Sequence, residues 1–370
     1  MKTPPYRPGI EPGTSRLLNL IASNVTGFIH SATAPVNMEY SNSTENPPFR
    51  FDDPVQRSVL AVFVAVISVI GIPGNLLVVF AVCASRKLQT ITNAFVVNLA
   101  ISDLIACVFI IFHPVALLSV DFYLSKTFFC KIIAAITYIT LEASIINLAL
   151  IAVNRLILIT RPKSTYDKGY CSRNVYVMIF LGWLYVIIVT TLPSVLGFAA
   201  LGFSHRYSVC TLDTEHPRAF YNDMLRSILI QFPCLVVIIA CYYLIYRFLQ
   251  RKGILQEIRK DSYRASRGDE RKRISRQIMV VKITKNLFLV VCAYIVCIMP
   301  FAVACVIPGS YVVIPWFACL LTFNSCVNPL IYGFNHPQFK EIFHLIFTCK
   351  CKQIPEPTTF IHAMTVHSEI

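Results

Sequence analysis

The sequence predicts an all-α membrane protein, a bundle of seven transmembrane helices followed by a short amphipathic helix. Three observations predict it. Seven apolar runs are each long enough for the roughly 20 residues that span a bilayer. Of the 370 residues 56% are hydrophobic and 14% charged, where a soluble domain carries about 25% charge. The Lys and Arg residues gather in alternate loops between the apolar runs, so the net charge of +14 reads as inner-loop charge and not as a nucleic-acid surface.

The elements follow in order. Residues 1–55 are rich in Pro, Ser, Thr and Asn and read as a disordered tail. Their longest apolar stretch, Leu17 to Ala22, is too short for a secretory leader, so the first membrane segment is expected to act as its own insertion signal. The apolar segments lie near 57–84, 92–118, 127–159, 174–197, 221–249, 278–306 and 312–333, within a transmembrane domain of 56–335. One set of loops holds Arg86 and Lys87, then Arg161, Lys163, Lys168 and Arg173, then the run Arg247 to Arg276; the opposite set is nearly neutral. The positive-inside rule puts the basic set in the cytoplasm, the N-terminus outside and the C-terminus inside. The sequons at Asn24 and Asn42 fall on the outer side and are candidate glycosylation sites. Phe334 to Phe347 reads as an amphipathic helix within 336–351, and Cys349 and Cys351 at its end are palmitoylation candidates. A cytoplasmic tail, 352–370, ends in Ser368-Glu369-Ile370, a pattern that fits strand addition to a PDZ domain. The inner loop with Arg259-Lys260, Arg264, Arg267 and Arg271-Lys272-Arg273 suits anionic membrane lipid.

Fourteen Cys are spread through the apolar segments, where a thiol is a small hydrophobe. No closely spaced Cys/His set suggests a metal site, and His113 and His344 stand alone. Convergent catalytic groups are missing, so an enzyme or an ion pump is disfavoured.

Polar residues inside membrane helices are costly, and each asks for a reason. The first segment has Gly74-Asn75, the second Asn98 to Asp103. The third begins near Cys130 and ends in Asn154-Arg155-Leu156. The fourth carries Trp183 and Pro193, the fifth Pro233, the sixth Pro300, and the seventh Asn328-Pro329-Leu330-Ile331-Tyr332.

In this ordered series, over about residues 55 to 350, the chain resembles the rhodopsin-like G-protein-coupled receptors. The resemblance implies a receptor in the plasma membrane, without enzymatic chemistry. An extracellular ligand would drive the inner end of the sixth helix outward and activate a heterotrimeric G protein, with arrestin and a receptor kinase as further partners. It implies a disulfide between Cys130 and Cys210, which an outer location permits. It implies a polar network of Asn75, Asp103, Ser144, Asn324, Ser325 and Asn328, able to hold an allosteric sodium ion on hard oxygen ligands; hydrogen bonding without an ion is the alternative, and no other cofactor is implied. Arg155 with Asn154 and Tyr332 would serve G-protein coupling. Pro233, Ile145, Tyr294, Ile298, Pro300 and Pro329 would form the transmission core, Ile145 and Tyr294 packing beside Pro233, with the prolines as hinge points.

The chain departs from the family pattern in five places. Asn154 replaces the acid that usually precedes Arg155, and an amide holds a guanidinium less firmly than a carboxylate. Val280, with Arg276 and Lys282 nearby, offers no opposing acid, so raised basal signalling is expected. The Trp expected two residues before Pro300 is Ile298, and the Tyr expected on the fifth segment is Cys241, with Tyr242 and Tyr243 after it. The Trp common in the first outer loop is absent, with Tyr123 nearby.

For the ligand, the resemblance implies a pocket of Thr137, Tyr138, Leu141, Phe301, Ala318 and Thr322. Thr137 stands where amine receptors carry an Asp, which weighs against an amine. Thr322 stands where opsins carry the retinal-binding Lys, which weighs against an opsin. The lining suits a neutral small molecule; the Asn154-Arg155 pair is similar to that of melatonin-like receptors and related invertebrate orphans. A peptide meeting the outer loop around His205, Arg206, Asp213 and Glu215 is the second reading, and a non-signalling binding protein on the same fold the third. Glu142 either meets the ligand or pairs internally; the sequence leaves both open.

Overall fold

Seven helices long and apolar enough to cross a membrane run through the computed structural model. It describes residues 50–119, 126–213, 216–251, 288–305, 307 and 310–358. These lie in the unit Phe49–Ile370; the unit Met1–Pro48, with both sequons, is outside the described residues. The crossing helices are α1 (Pro54–Ala84), α2 (Ile91–Leu118), α3 (Phe128–Thr160), α4 (Ser172–Val195), α5 (Ala219–Arg251), α6 (Phe288–Cys305) and α7 (Ile314–Asn335). A short helix, Lys163–Gly169, follows α3, and α8 (Pro337–Phe347) follows α7. The expected amphipathic helix therefore starts three residues later than read from sequence. Phe334 and Asn335 still belong to α7, His336 caps α8, and Pro337 occupies the first turn, where its missing N–H costs nothing.

Large apolar side chains such as Phe63, Phe180 and Phe232 are exposed, while Asn75, Asp103 and Asn154 are fully buried. That inversion suits lipid outside and polar contacts between helices. Close approach is built in at Gly74, where a Cβ would sit 3.0 Å from the Pro329 ring.

Prolines break the backbone ladder, and two freed carbonyls are recovered by side chains. Pro329 gives no N–H to Ser325, and Asn75 Nδ2 donates to that carbonyl instead, at 2.8 Å. Pro233 likewise frees the carbonyl of Leu229, which accepts from the Tyr185 hydroxyl at 2.8 Å. A π-helical turn, Ser227–Gln231, precedes Pro233. Helix α2 breaks at Ile111, and a second piece, Phe112–Leu118, completes the crossing.

At one end of the bundle, β1 (Leu201–Ser204) and β2 (Val209–Leu212) form an antiparallel hairpin. The Cys130–Cys210 disulfide ties β2 to the start of α3, as the resemblance implied. Phe51 packs there with Leu60, Leu117, Tyr207 and Trp316, and its N–H donates to the Arg206 carbonyl at 2.8 Å. Cys349 is exposed and Cys351 half-buried beyond α8. Tyr123, Arg276, Val280, Lys282, the basic stretch Arg259 to Arg273 and Ser368-Glu369-Ile370 lie outside the described residues.

Candidate functional site

Three buried polar centres lie along α3. The middle one surrounds Asp103 of α2. Ser144 donates to its Oδ1 at 2.8 Å and Asn328 Nδ2 to its Oδ2 at 2.7 Å. Ser102 and Ser144 hydroxyls sit 3.2 Å apart. The amide oxygens of Asn75, Asn324 and Asn328 are buried with no hydrogen-bond partner among the described residues. A carboxylate beside several orphaned hard oxygens fits a small cation such as sodium, so the donor chemistry agrees with the group the resemblance implied. Among the described residues no cluster of three or more His, Cys, Asp or Glu suggests any other metal.

At the end away from the hairpin, Arg155 is 4% exposed and makes no ion pair with any described acid. Tyr242, Tyr166 and Tyr332 lie within electrostatic range of its guanidinium, and its Nε–H is unpartnered. Asn154, expected to hold Arg155 less firmly than an acid would, makes its hydrogen bonds elsewhere. Asn154 Oδ1 accepts from Thr92 at 3.0 Å and its Nδ2 donates to the Tyr166 hydroxyl at 3.1 Å. The amide is spent on α2 and the short helix Lys163–Gly169. The missing tyrosine is corrected: Cys241 is buried, but Tyr242, one residue on, is buried too and brings its hydroxyl towards Arg155. Tyr332 stacks on Phe339 of α8 with ring centroids 5.6 Å apart. His336, between α7 and α8, accepts from the Phe339 N–H through Nδ1. Burial first, and the Arg155 charge second, hold its imidazole down at about 4.

The transmission residues divide. Ile145, Tyr294 and Ile298 share the main buried cluster with Tyr242 and Tyr332, and Pro329 is buried in α7. Pro300 is half-buried. Pro233 is exposed on α5, so the expected packing of Ile145 and Tyr294 against it is not seen in the burial. The proline faces outward, while Ile230 of the π turn is buried in the cluster that holds Ile145.

The third centre lies towards the hairpin and was missed from sequence. Arg226 of α5 is 5% exposed. It donates to Glu142 Oε1 at 3.0 Å and forms a second, very short ion pair with Asp223. Thr190 of α4 donates to Glu142 Oε2 at 2.8 Å. The guanidinium lies 4.0 Å over the Tyr138 ring, and the Tyr138 hydroxyl meets Thr211 of β2 at 3.1 Å. Glu142 thus pairs internally. An Arg and an Asp three residues apart within an apolar segment were the available signal. Of the other pocket residues, Thr137 is buried with its hydroxyl unpartnered, Thr322 turns its hydroxyl back to the Cys319 carbonyl at 2.8 Å, and Leu141, Phe301 and Ala318 are half-buried.

Asn98, beside these centres, binds Asn147 through a short amide–amide contact and accepts from Trp183 at 3.0 Å. That joins α2, α3 and α4 and gives the fourth-helix Trp a packing role.

Comparison with known proteins places this geometry. The family model described as "7 transmembrane receptor (rhodopsin family)" matches residues 74–332. The chain is 27% identical over 331 residues to the alpha-1D adrenergic receptor of Sus scrofa, covering 79% of this chain and 57% of that receptor. It therefore spans little more than half the length of that relative. It is 27% identical over 365 residues to neuropeptide Y receptor type 4 of Mus musculus, covering 91% of this chain and 93% of that one. The crystal structure of squid rhodopsin superposes with a TM-score of 0.68 at 22% identity, over 84% of this chain and 93% of that chain, a likeness of fold.

Proposed function

The chain belongs to the rhodopsin family of seven-transmembrane receptors, and on that premise we propose that it is a ligand-activated receptor for a heterotrimeric G protein in the plasma membrane. The observation that carries the reading is Arg155, buried at the end of α3 away from the disulfide, within electrostatic range of Tyr166, Tyr242 and Tyr332 and without an ion pair to any described acid, with Asp103 at the middle of the bundle. A buried cation with no carboxylate among the described residues is poised for an incoming partner's acceptor groups. The loops rich in Lys and Arg support placing this end in the cytoplasm, with the N-terminus and the disulfide outside. The receptor class performs no chemistry on its ligand. Arrestin, a receptor kinase and a PDZ domain at Ser368-Glu369-Ile370 are proposed partners on the same face. When bound, sodium would supply a positive charge against the Asp103 carboxylate; Asp103, Ser144, Asn324 and Asn328 are the residues that would hold it, and Asn75 and Ser325 complete the set. Cys349 and Cys351 are proposed to carry acyl chains that seat α8 at the membrane, and Asn24 and Asn42 to carry glycans.

For the ligand we favour a neutral small molecule, melatonin-like in size and charge. Thr137 offers a hydroxyl where an amine would need an acid, and both Glu142 oxygens are already engaged. The unpartnered Thr137 hydroxyl is a natural contact for a neutral polar group. A peptide ligand is the second reading, favoured by the near full-length match to a neuropeptide Y receptor. A G-protein activation screen of the full chain in cells, with neutral indoles, amines and amidated peptides as separate arms, tests the proposal. Activation by one class, abolished by Arg155→Ala at equal surface expression, is the expected result. Activation surviving Arg155→Ala, or no response and no basal activity in any arm, would count against a signalling receptor.

A further inference from the structure

The chain after α8 does not leave the bundle directly. Residues 354–358 fold back along the end of α1. The Arg86 N–H donates to the Glu356 carbonyl at 2.8 Å, and the Thr358 N–H to the Ala84 carbonyl at 3.1 Å. The Ser85 hydroxyl donates to the Pro355 carbonyl at 2.6 Å, and the Thr358 hydroxyl to the Cys83 carbonyl at 2.9 Å. Ser85 and Pro357 form an antiparallel bridge. Ile354 is 3% exposed and packs with Ala84, Phe80, Leu345 and Ile346, so it touches both α1 and α8.

These contacts have a physical purpose at the end of a helix. The last turn of α1 leaves carbonyls without intrahelical donors. Thr358 answers two of them, one with its backbone and one with its side chain. The segment carries little intrinsic preference for staying there: Glu356 holds a φ of 48°, a left-handed value costly for a residue with a Cβ. It is held by one buried Ile and four hydrogen bonds, which is the make-up of a low-stability, locally opening unit.

We propose that Ile354–Thr358 is a releasable strap between the tail and the α1–α8 corner, that the Thr358 hydroxyl is its latch, and that phosphorylation of Thr358 holds it open. Thr358 is 8% exposed when the strap is docked, so only the released strap can meet a kinase. Phosphoryl transfer from a nucleoside triphosphate forms a bond from Thr358 Oγ1 to phosphorus, breaks the bond to the departing nucleoside diphosphate, and removes the hydroxyl proton. That proton is the one donated to the Cys83 carbonyl. The product has lost the donor and gained about two negative charges facing a carbonyl, so it cannot redock. Modification thereby traps a minor open population. Because Ile354 also packs on α8, release loosens the helix on which Tyr332 is stacked.

Hydrogen–deuterium exchange on the full chain tests the strap. The reporters are the amides of Arg86 and Thr358, with the β1–β2 amides as the folding control. Thr358→Val is expected to speed the reporters about fivefold, the loss of one hydrogen bond. Ile354→Asp and Thr358→Glu are expected to speed them more than about tenfold. All three should leave the hairpin unchanged. Reporters already at the Ile354→Asp rate in the wild type would overturn the strap. The latch is tested on the tryptic peptide Gln353–Ile370 from receptor expressed in eukaryotic cells. More phosphate at Thr358 in Ile354→Asp than in wild type is expected; none at Thr358 in either would overturn the modification. That second arm also rests on the cytoplasmic orientation proposed above, whereas the exchange arm does not, so their failures are distinguishable.

Discussion

Among the described residues two arginines are buried, Arg155 at 4% exposure and Arg226 at 5%, and they are treated in opposite ways. Arg226 is fixed between Glu142 and Asp223, over the Tyr138 ring. Arg155 has no described acid to hold it, only the hydroxyls of Tyr166, Tyr242 and Tyr332 within range. The first arrangement ties α3, α4 and α5 together near the hairpin. The second leaves a charge without a described acid, which is what the proposed coupling role requires. The difference teaches where the molecule is built to be rigid and where it is built to change.

Breaking the rigid centre should have the largest effect. Arg226→Met leaves Glu142 as a buried charge without a cation, a loss of about 3–5 kcal/mol for cutting one side of a buried pair. Thermal unfolding in detergent and surface expression should both fall sharply, and Glu142→Gln combined with Arg226→Gln should recover most of the loss. If the double variant is no better than Arg226→Met, the stranded-charge account is wrong. Thr190→Val removes one donor to the same carboxylate. A hydrogen bond to a charged group is worth about 1.5–3 kcal/mol, so a smaller drop in melting temperature is expected. No drop would mean that Arg226 alone satisfies Glu142.

The other centre is sharpened by acidity. His336 is held at about 4 against an ordinary 6.5, by burial and then by the unneutralised Arg155. Its folded form is neutral while an unfolded His takes up a proton below 6.5. Stability is therefore complete above pH 6.5 and falls as pH drops towards 4, by about 1–2 kcal/mol near pH 5. Hydrogen exchange in α8 should rise through that window, and His336→Asn should flatten the profile. An unchanged profile in His336→Asn would assign the acid response to another group.

The fold was legible because lipid permits few solutions: a spanning segment must be long, apolar and helical, and basic loops mark one side. The order of Asn75, Asp103, Arg155 and Asn328 was equally plain, since each is an expensive polar residue in an apolar run. The partners of those residues were not. Glu142 and Arg226 are 84 positions apart, and whether two such groups meet depends on how each helix is rotated. The same reason hid Tyr242. Counting from Pro233 put Cys241 in the inward place, and it is buried, but the adjacent Tyr242 is buried as well, so two successive residues face the core. Asn154 was plain as a non-acid, but its partner Thr92, 62 positions away on α2, was not.

In the proposed receptor, Arg155 is left without a carboxylate among the described residues and so favours coupling. Asn154→Asp tests it most directly. A carboxylate at 154 can still accept from Thr92 and from the Tyr166 hydroxyl, so the fold is kept, and it adds the missing acid beside Arg155. Basal G-protein activation should fall about fivefold at matched surface expression, the shift that roughly 1 kcal/mol gives a two-state balance. Equal basal activity in Asn154→Asp and wild type would contradict the account.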